Sequence, residues 1–347
     1  MEKNTGDITF ITSLSCNSLD EGHIIYFFNY IKDLKKYYLI NILCEQHNGN
    51  AFKNIENVNV FDCLTKSNKF GLATFSNFIT IKKKSIGIVH FWYAPRLMYF
   101  PLLFSNISFY SLPDSWSSYY ESQLKVKKNI ALFSRFIHYR LFEKVLSFSK
   151  IKTIYISHSE AKKYNGLFIP FKINKQVNHC NLKDGVLVGR MNSITLEKVI
   201  VNLILNNTNI NFTIISKDNE IHKKYSSHKN ITFIKWVEDY ECFSSKFKVH
   251  LLYDLWGSGQ STKLINCLNV GSLAIGNETS FRGFPKNNKD HKYIGKDFNQ
   301  LNNLLDLINK YNNDVLNKEI IKQREYFLNM TKFVNTKEFF MTMYNIN

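Results

Sequence analysis

Residues 249–283 read Val-His-Leu-Leu-Tyr-Asp-Leu-Trp-Gly-Ser-Gly-Gln-Ser-Thr-Lys-Leu-Ile-Asn-Cys-Leu-Asn-Val-Gly-Ser-Leu-Ala-Ile-Gly-Asn-Glu-Thr-Ser-Phe-Arg-Gly. Their order decides the fold. The apolar run Val249 to Tyr253 gives way to Gly257-x-Gly259-x-x-x-Lys263. About two helical turns follow, then Gly271 and a second short apolar run. Strand, glycine loop, helix, strand is the arrangement in which an open α/β sheet receives a phosphorylated ligand. Gly257 and Gly259 carry no side chain, so backbone N–H groups there can approach oxygens closely. A helix opening near Gln260 or Ser261 offers unpaired N–H donors and a partial positive charge; Lys263, in the first turn, adds a full one.

Two better-known glycine motifs are excluded. The loop lacks the Gly-Lys-Ser/Thr ending of a P-loop and the third glycine of the dinucleotide fingerprint. Two glycines and a lysine at this spacing also serve a plain strand–helix turn, so the surrounding residues must decide.

The chain has 347 residues, 44% of them hydrophobic and 15% aromatic. That length suits two domains of about 150–180 residues, each able to bury a core. No stretch reaches the ~18 uninterrupted apolar residues of a membrane span; the closest, 86–112, is broken by His90, Pro95, Arg96 and Pro101. The opening Met-Glu-Lys-Asn-Thr-Gly-Asp runs into a strand without a signal-peptide layout. The cysteines, at 16, 44, 63, 180, 242 and 267, form no CxxC pair or Cys/His cluster. A reducing cytosol and no structural metal are expected. Net charge is +17, with lysine clusters at 35–36, 82–84, 125–128 and 162–163. Such clusters make either a solvated face or one drawn to anionic lipid headgroups or a phosphorylated acceptor. No nucleic-acid reading module is recognisable, so no nucleic acid is expected as a partner.

Short apolar strands alternate with longer helical segments, which argues for parallel sheets covered by helices on both faces. In the first half the pattern predicts strands near 7–12, 38–44, 57–61, 86–92, 107–112 and 153–157. Helices are expected over 21–36, 115–150 and 159–164, with weaker helical signals at 72–82 and 96–104. The polar, aperiodic stretch 172–184 reads as a linker. The alternation then restarts, with strands near 185–189, 211–216, 231–236, 249–253 and 272–275. Helices are expected over 194–206, 219–227, 238–246, 260–270, 298–312 and 315–345. The expected class is α/β, two doubly wound Rossmann-like domains facing across a cleft. The expected boundaries are 1–172 for an acceptor-binding domain, 173–184 for the linker, 185–314 for a nucleotide-sugar-binding domain, and 315–347 for helices crossing back to the first.

Four landmarks occur in order along the second half: Gly185-Val-Leu-Val-Gly189-Arg190; Ile231-Thr-Phe-Ile-Lys-Trp-Val-Glu-Asp239; Val249 to Tyr253; and the glycine loop with Lys263, closed by Gly283. Together they resemble the GT-B nucleotide-sugar glycosyltransferases, specifically the glycosyl transferase group 1 (family 4) type. The resemblance implies sugar transfer from a nucleoside diphosphate to an acceptor hydroxyl, in surface polysaccharide, lipopolysaccharide or glycolipid synthesis. Its implied partners are the nucleotide-sugar donor and a saccharide or lipid-linked acceptor. The implied setting is the cytoplasm, with peripheral contact at the inner face of the membrane. By the same resemblance Arg190 is the leading diphosphate ligand, and Lys263 with the backbone of Gly257, Ser258 and Gly259 the second. Fixed cations and oriented N–H groups stabilise a leaving diphosphate without metal or other cofactor, and no Asp-x-Asp occurs in the chain. The plainer reading, weighed below the diphosphate one, has Arg190 capping its strand end or pairing with Glu197.

The chain also departs from the family. Aligned on Gly271, the two glutamates of Glu-x7-Glu fall on Ser258 and Asn266. Asn266 can still bond ribose hydroxyls, more weakly than a carboxylate. Where a second lysine follows the Gly-Arg, Thr195 stands instead, with Lys198 a poor substitute. These losses motivate an alternative, a non-catalytic nucleotide-sugar-binding protein on the same fold. In the first half, His90 matches the family's strand-end histidine facing the donor sugar, against a purely structural reading. Asp114 is an acceptor contact or general base, or else a helix N-cap. Asn17 and Gly22 are the candidates for an acceptor-side loop, where the resemblance implies a Gly-Gly pair and only Gly22 remains. Trp92, Tyr93 and Trp116 are read as core before sugar platforms.

Overall fold

The computed structural model describes residues 7–13, 22–45, 49–65, 72–94, 102, 108–112, 114–173, 183–284 and 292–344. Two compact units emerge, one of residues 1–121, 129–171 and 333–347, the other of 122–128 and 172–332. Asn17 and most of the predicted 96–104 helix and 173–184 linker lie outside the described residues.

The first unit is built on seven strands: β1 (Asp7–Ile11), β2 (Leu39–Glu45), β3 (Val58–Leu64), β4 (Ile88–Trp92), β5 (Ser108–Leu112), β6 (Lys152–Tyr155) and β7 (Leu167–Phe168). Their order is β3-β2-β1-β4-β5-β6-β7, every pairing parallel. Strands such as Ile-Val-His-Phe-Trp in β4 are buried throughout, as expected where helices cover both faces. The connecting helices are α1 (Gly22–Leu34), α2 (Leu72–Lys84), α3 (Trp116–Leu124), α4 (Ile130–Phe148) and α5 (His158–Lys163). The pleat sends Val89, Phe91, Tyr110 and Leu112 to one face, where Ile81 of α2 and Phe142 and Leu146 of α4 join them in a single core.

The second unit has six strands: β8 (Lys183–Val188), β9 (Phe212–Ile215), β10 (Ile231–Ile234), β11 (Phe247–Leu252), β12 (Leu273–Asn277) and β13 (Ile294–Gly295). They run β10-β9-β8-β11-β12-β13, again all parallel. Around them lie α6 (Ser193–Val199), α7 (Asn219–Tyr225), α8 (Tyr240–Ser244), α9 (Thr262–Asn269), α10 (Phe298–Asn309) and α11 (Asn313–Thr331). Both sheets are doubly wound, as the alternation predicts. Among the described residues no helix is long and apolar enough to cross a membrane.

The last helix, α12 (Lys337–Tyr344), belongs to the first unit. Phe10, His90, Trp92 and Phe109 point to the face away from α4, toward Phe27 and Tyr30 of α1. Tyr344 enters that face: its hydroxyl shares hydrogen bonds with His90 Nδ1 (2.7 Å) and the Tyr30 hydroxyl (2.9 Å). His90 Nε2 shares another with Ser111 Oγ at 2.7 Å.

Two predicted long helices are each split. Between α3 and α4 three lysines crowd residues 125–128, and Asn129 accepts from the Ala131 and Leu132 N–H groups to start a new helix. Between α11 and α12 the chain turns through Asn335 at φ 59°, a left-handed conformation that asparagine tolerates better than most residues. The helix predicted over 194–206 widens into a π-helical turn at Ile200–Ile204. The two-residue strands β7 and β13 are too short to carry a periodic signal.

Burial lowers the His90 pKa to about 3, against ~6.5 for a free histidine. As pH falls the unfolded chain takes the proton first, so the stabilisation from a neutral buried ring is complete above about 6.5 and is lost toward about 3. Thermal scans between pH 7 and pH 5 should show the melting temperature dropping, with a shallower slope in His90→Gln. Tyr344→Ala strands two buried partners and opens a cavity, an expected cost of about 3–5 kcal/mol by chemical denaturation.

Candidate functional site

Parallel pairing puts the loops that follow all the strands of a sheet at one edge. In the second unit these loops carry Arg190 after β8, Lys217 after β9, Trp236 after β10, Asp254 after β11 and Arg282 after β12. Ser261 caps α9, its hydroxyl accepting from the Leu264 N–H, so Lys263 stands in the first turn. A Cβ at Gly189 would lie 3.7 Å from Lys263 Cδ. Lys263 and the residue next to Arg190 therefore share this edge.

The cations are held in two ways. Lys263 Nζ lies 2.5 Å from one Asp254 oxygen, and Arg282 Nη1 donates to the other at 2.7 Å. Arg282 also donates through Nε to the Ser258 carbonyl (2.9 Å) and through Nη1 to the Thr279 carbonyl (2.9 Å), which ties the glycine loop down. Asn277 fixes Asp254 in turn: its amide donates to the Asp254 carbonyl at 2.7 Å and accepts from the Asp254 N–H at 3.2 Å. Arg190 is held by rings. Its guanidinium lies 5.0 Å from the Trp236 centroid and 4.9 Å from that of Tyr240, while Lys217 sits 4.2 Å from Trp236. Trp236 is 54% exposed, so this cation–π stack faces solvent. Burial pushes the Tyr240 hydroxyl up to about 12, with the Arg190 charge pulling the other way. Glu197 is paired with Lys224 at 2.5 Å, not with Arg190.

Ser258 is buried, and its hydroxyl has no hydrogen-bond partner. Gly259 and Gly283 both have positive φ, 62° and 98°. Asn266 is exposed on α9. Thr195 is buried and donates to Asn192, the residue that caps α6. The edge thus brings together Arg190, Lys263 and the 257–259 loop, with four residues the sequence reading missed: Asp254, Arg282, Lys217 and Trp236. Arg282 had a signal in standing directly before Gly283. Trp236 had a signal in lying within the Ile231–Asp239 landmark, just after its strand. A cavity of about 440 Å³ opens at the opposite edge of this sheet. Lys248 is the charged residue among its lining, and it already donates to Asn313.

In the first unit the reading of His90 as a catalytic residue needs correction. The ring is fully buried mid-strand among Phe10, Trp92, Phe109 and Tyr344, and both nitrogens are engaged. It is a structural histidine. Trp92 and Trp116 are also core. Asp114 is half-buried in the turn after β5, and it is not the N-cap of α3: Ser115 is, accepting from the Ser118 N–H at 3.2 Å. Two further carboxylates meet that helix start. Glu160 accepts from the Ser115 N–H (3.1 Å), and Glu143 accepts from the hydroxyls of Ser115 (2.9 Å) and Ser117 (2.5 Å). Burial raises the Glu143 pKa against these hydrogen bonds. Beside them Tyr93, first past β4, adopts φ 41°, a strained value for a tyrosine. Gly22 opens α1.

No protein-family model matches the sequence, and no curated protein does. Solved structures do. The chain is similar to a glycosyltransferase from Rickettsia africae ESF-5, at 12% identity over 98% of each chain, with a TM-score of 0.69. Anabaena Alr3699/HepE in complex with UDP-glucose aligns at 9% identity over 97% of this chain and 99% of that one, with a TM-score of 0.68. TarM aligns at 12% identity over 98% and 99%, with a TM-score of 0.69. At such identities the likeness is one of fold, and the fold is that of the GT-B glycosyltransferases.

Two glycines of the site should respond differently to alanine. At Gly257 the new Cβ would meet Arg282 Cζ at 2.4 Å, a movable side-chain end. At Gly283 it would meet Gln260 Cα at 2.6 Å with φ at 98°. Denaturant titration should show Gly283→Ala destabilised by more than about 1 kcal/mol. Gly257→Ala should lose less, while displacing Arg282 from Asp254.

Proposed function

We propose that the protein is a glycosyltransferase that moves a hexosyl unit from a nucleoside diphosphate to an acceptor hydroxyl. One combination carries the reading: a GT-B fold over nearly the whole chain, and a glycine-floored, cation-lined edge on the second unit. Structures of the similar HepE hold UDP and UDP-glucose, which supports a uridine donor here.

In the proposed step the bond between the anomeric carbon and the β-phosphate oxygen breaks, and the acceptor oxygen bonds that carbon. Negative charge grows on the departing diphosphate, and Arg190, Lys263 and the N–H groups of residues 257–259 stabilise it, with no metal or other cofactor required. Arg282 is added to this set because it shares Asp254 with Lys263. Trp236, solvent-facing and flanked by two cations, suits an aromatic or sugar ring of the donor. Asp114 is the proposed acceptor-side base that takes the hydroxyl proton. The proposed acceptor is a saccharide or lipid-linked saccharide of surface polysaccharide or glycolipid synthesis, on the cytoplasmic side of the membrane.

A second reading, a nucleotide-sugar-binding protein without turnover, is favoured by one observation. Neither Ser258 nor Asn266 offers a carboxylate at the donor edge, and His90 is enclosed in the core. Titration calorimetry with UDP-sugars, paired with an assay for released UDP, separates the two. The first reading expects UDP release that rises with an acceptor extract, and the second expects binding alone. Arg190→Ala and Lys263→Ala should each weaken donor binding by about 1–3 kcal/mol. Unchanged affinity in both variants refutes the site. Asp114→Asn should cut turnover while donor affinity holds.

A further inference from the structure

Helix α4 is apolar on two opposite faces. Tyr139, Phe142 and Leu146 pack in the first unit's sheet core, and Phe136 is buried on the same side of the helix. Ile130, Phe133, Ile137, Leu141, Val145 and Phe148 recur at intervals of three and four, so they form one stripe on the other side. That stripe is exposed along the whole helix, from 89% at Ile130 through 60% at Leu141 to 81% at Phe148. A soluble monomer rarely leaves so long a contiguous apolar stripe in water.

Cations frame it. Arg140 and Lys144 lie along its flank, Lys127 and Lys128 precede its first turn, and Lys150 follows its last; all are exposed. The carboxylate on α4, Glu143, is buried and bonded to Ser115 and Ser117. Helix α2, which reaches the same side of the sheet through Ile81, repeats the pattern: Phe75 and Ile79 are exposed, and Lys82, Lys83 and Lys84 end the helix. Apolar side chains over one face with lysine and arginine at its margin match the chemistry of a lipid surface carrying anionic headgroups. The stripe enters the acyl boundary while the long basic side chains reach the phosphates.

We propose that the outward face of α4, extended by α2, is the surface by which this protein docks on an anionic bilayer. The assignment deepens the membrane-side setting proposed above, and it does not depend on sugar transfer, because docking is measured without donor or acceptor.

The test is co-sedimentation of the full chain with vesicles of phosphatidylcholine alone or mixed with phosphatidylglycerol, at low and high salt. Binding to the mixed vesicles, weakened by salt and about tenfold or more weaker in Leu141→Glu/Val145→Glu, is expected. Arg140→Glu/Lys144→Glu should lose about fivefold or more per residue. Both pairs are solvent-facing, and circular dichroism of each variant is the check that it folds. Wild-type protein that stays in the supernatant with both vesicle types overturns the proposal. So does binding that neither pair of substitutions changes. A dimer in lipid-free solution that Leu141→Glu/Val145→Glu disperses, without vesicle binding by the wild type, assigns the face to a second copy and also overturns it.

Discussion

Every strand pairing among the described residues is parallel. That constraint organises the rest. A parallel sheet sends its chain back by crossover helices, so the interior of each strand is covered and reads as apolar, and chemistry is confined to the loops at the strand ends. The two edges have been filled differently. In the second unit the loops deliver fixed cations and an exposed tryptophan. In the first, the loop after β5 delivers hydroxyls at the start of α3, and the buried carboxylates of Glu143 on α4 and Glu160 on α5 meet them there.

Holding several cations together has an electrostatic cost. Two like charges about 4 Å apart repel by roughly 4 kcal/mol at an effective dielectric constant near 20. Asp254 relieves this for Lys263 and Arg282 by giving each a separate oxygen. Asn277 holds both the N–H and the carbonyl of Asp254, which fixes the backbone that carries the carboxylate. Arg190 and Lys217 are stabilised by ring faces, which leave a charge available to a ligand in a way that a carboxylate does not. The glycines follow from the same geometry. At Gly257 a side chain would occupy the space of the Arg282 guanidinium, and at Gly283 it would strike the backbone of Gln260.

The sequence made the architecture readable because its signals are local. Alternating apolar runs and helical periods locate all but the two-residue strands β7 and β13. The placement of Arg190 and Lys263 was legible too, since each follows a strand within a glycine-marked turn. What stayed hidden depends on contacts distant in sequence. Asp254 becomes a partner of Arg282 only when β12 lies beside β11. His90 shows the converse. Its place near a strand end suggested chemistry, yet its neighbours include Tyr344, separated by 254 positions, and that contact makes it part of the core. Nor does a helical period reveal which side of α4 is covered, because both sides are apolar.

The resemblance aligns Ser258 and Asn266 with two glutamates of the family pattern, and that bears on how the proposed transfer would work. A carboxylate near the transferred sugar stabilises positive charge at the anomeric carbon, whereas cations at the diphosphate stabilise the negative charge on the group that leaves. With Ser258 and Asn266 in those positions the first contribution is removed. On the proposed reading the second remains, from Arg190, Lys263 and the N–H groups of residues 257–259, with Arg282 sharing Asp254 beside them. The charge balance therefore shifts toward leaving-group stabilisation. On the proposed reading such a site would hold a nucleoside diphosphate whether or not a sugar is attached, because the proposed contacts are to phosphate. Turnover would then be governed by release of the nucleotide more than by bond cleavage, since the interactions that speed departure of the diphosphate persist after the sugar has gone.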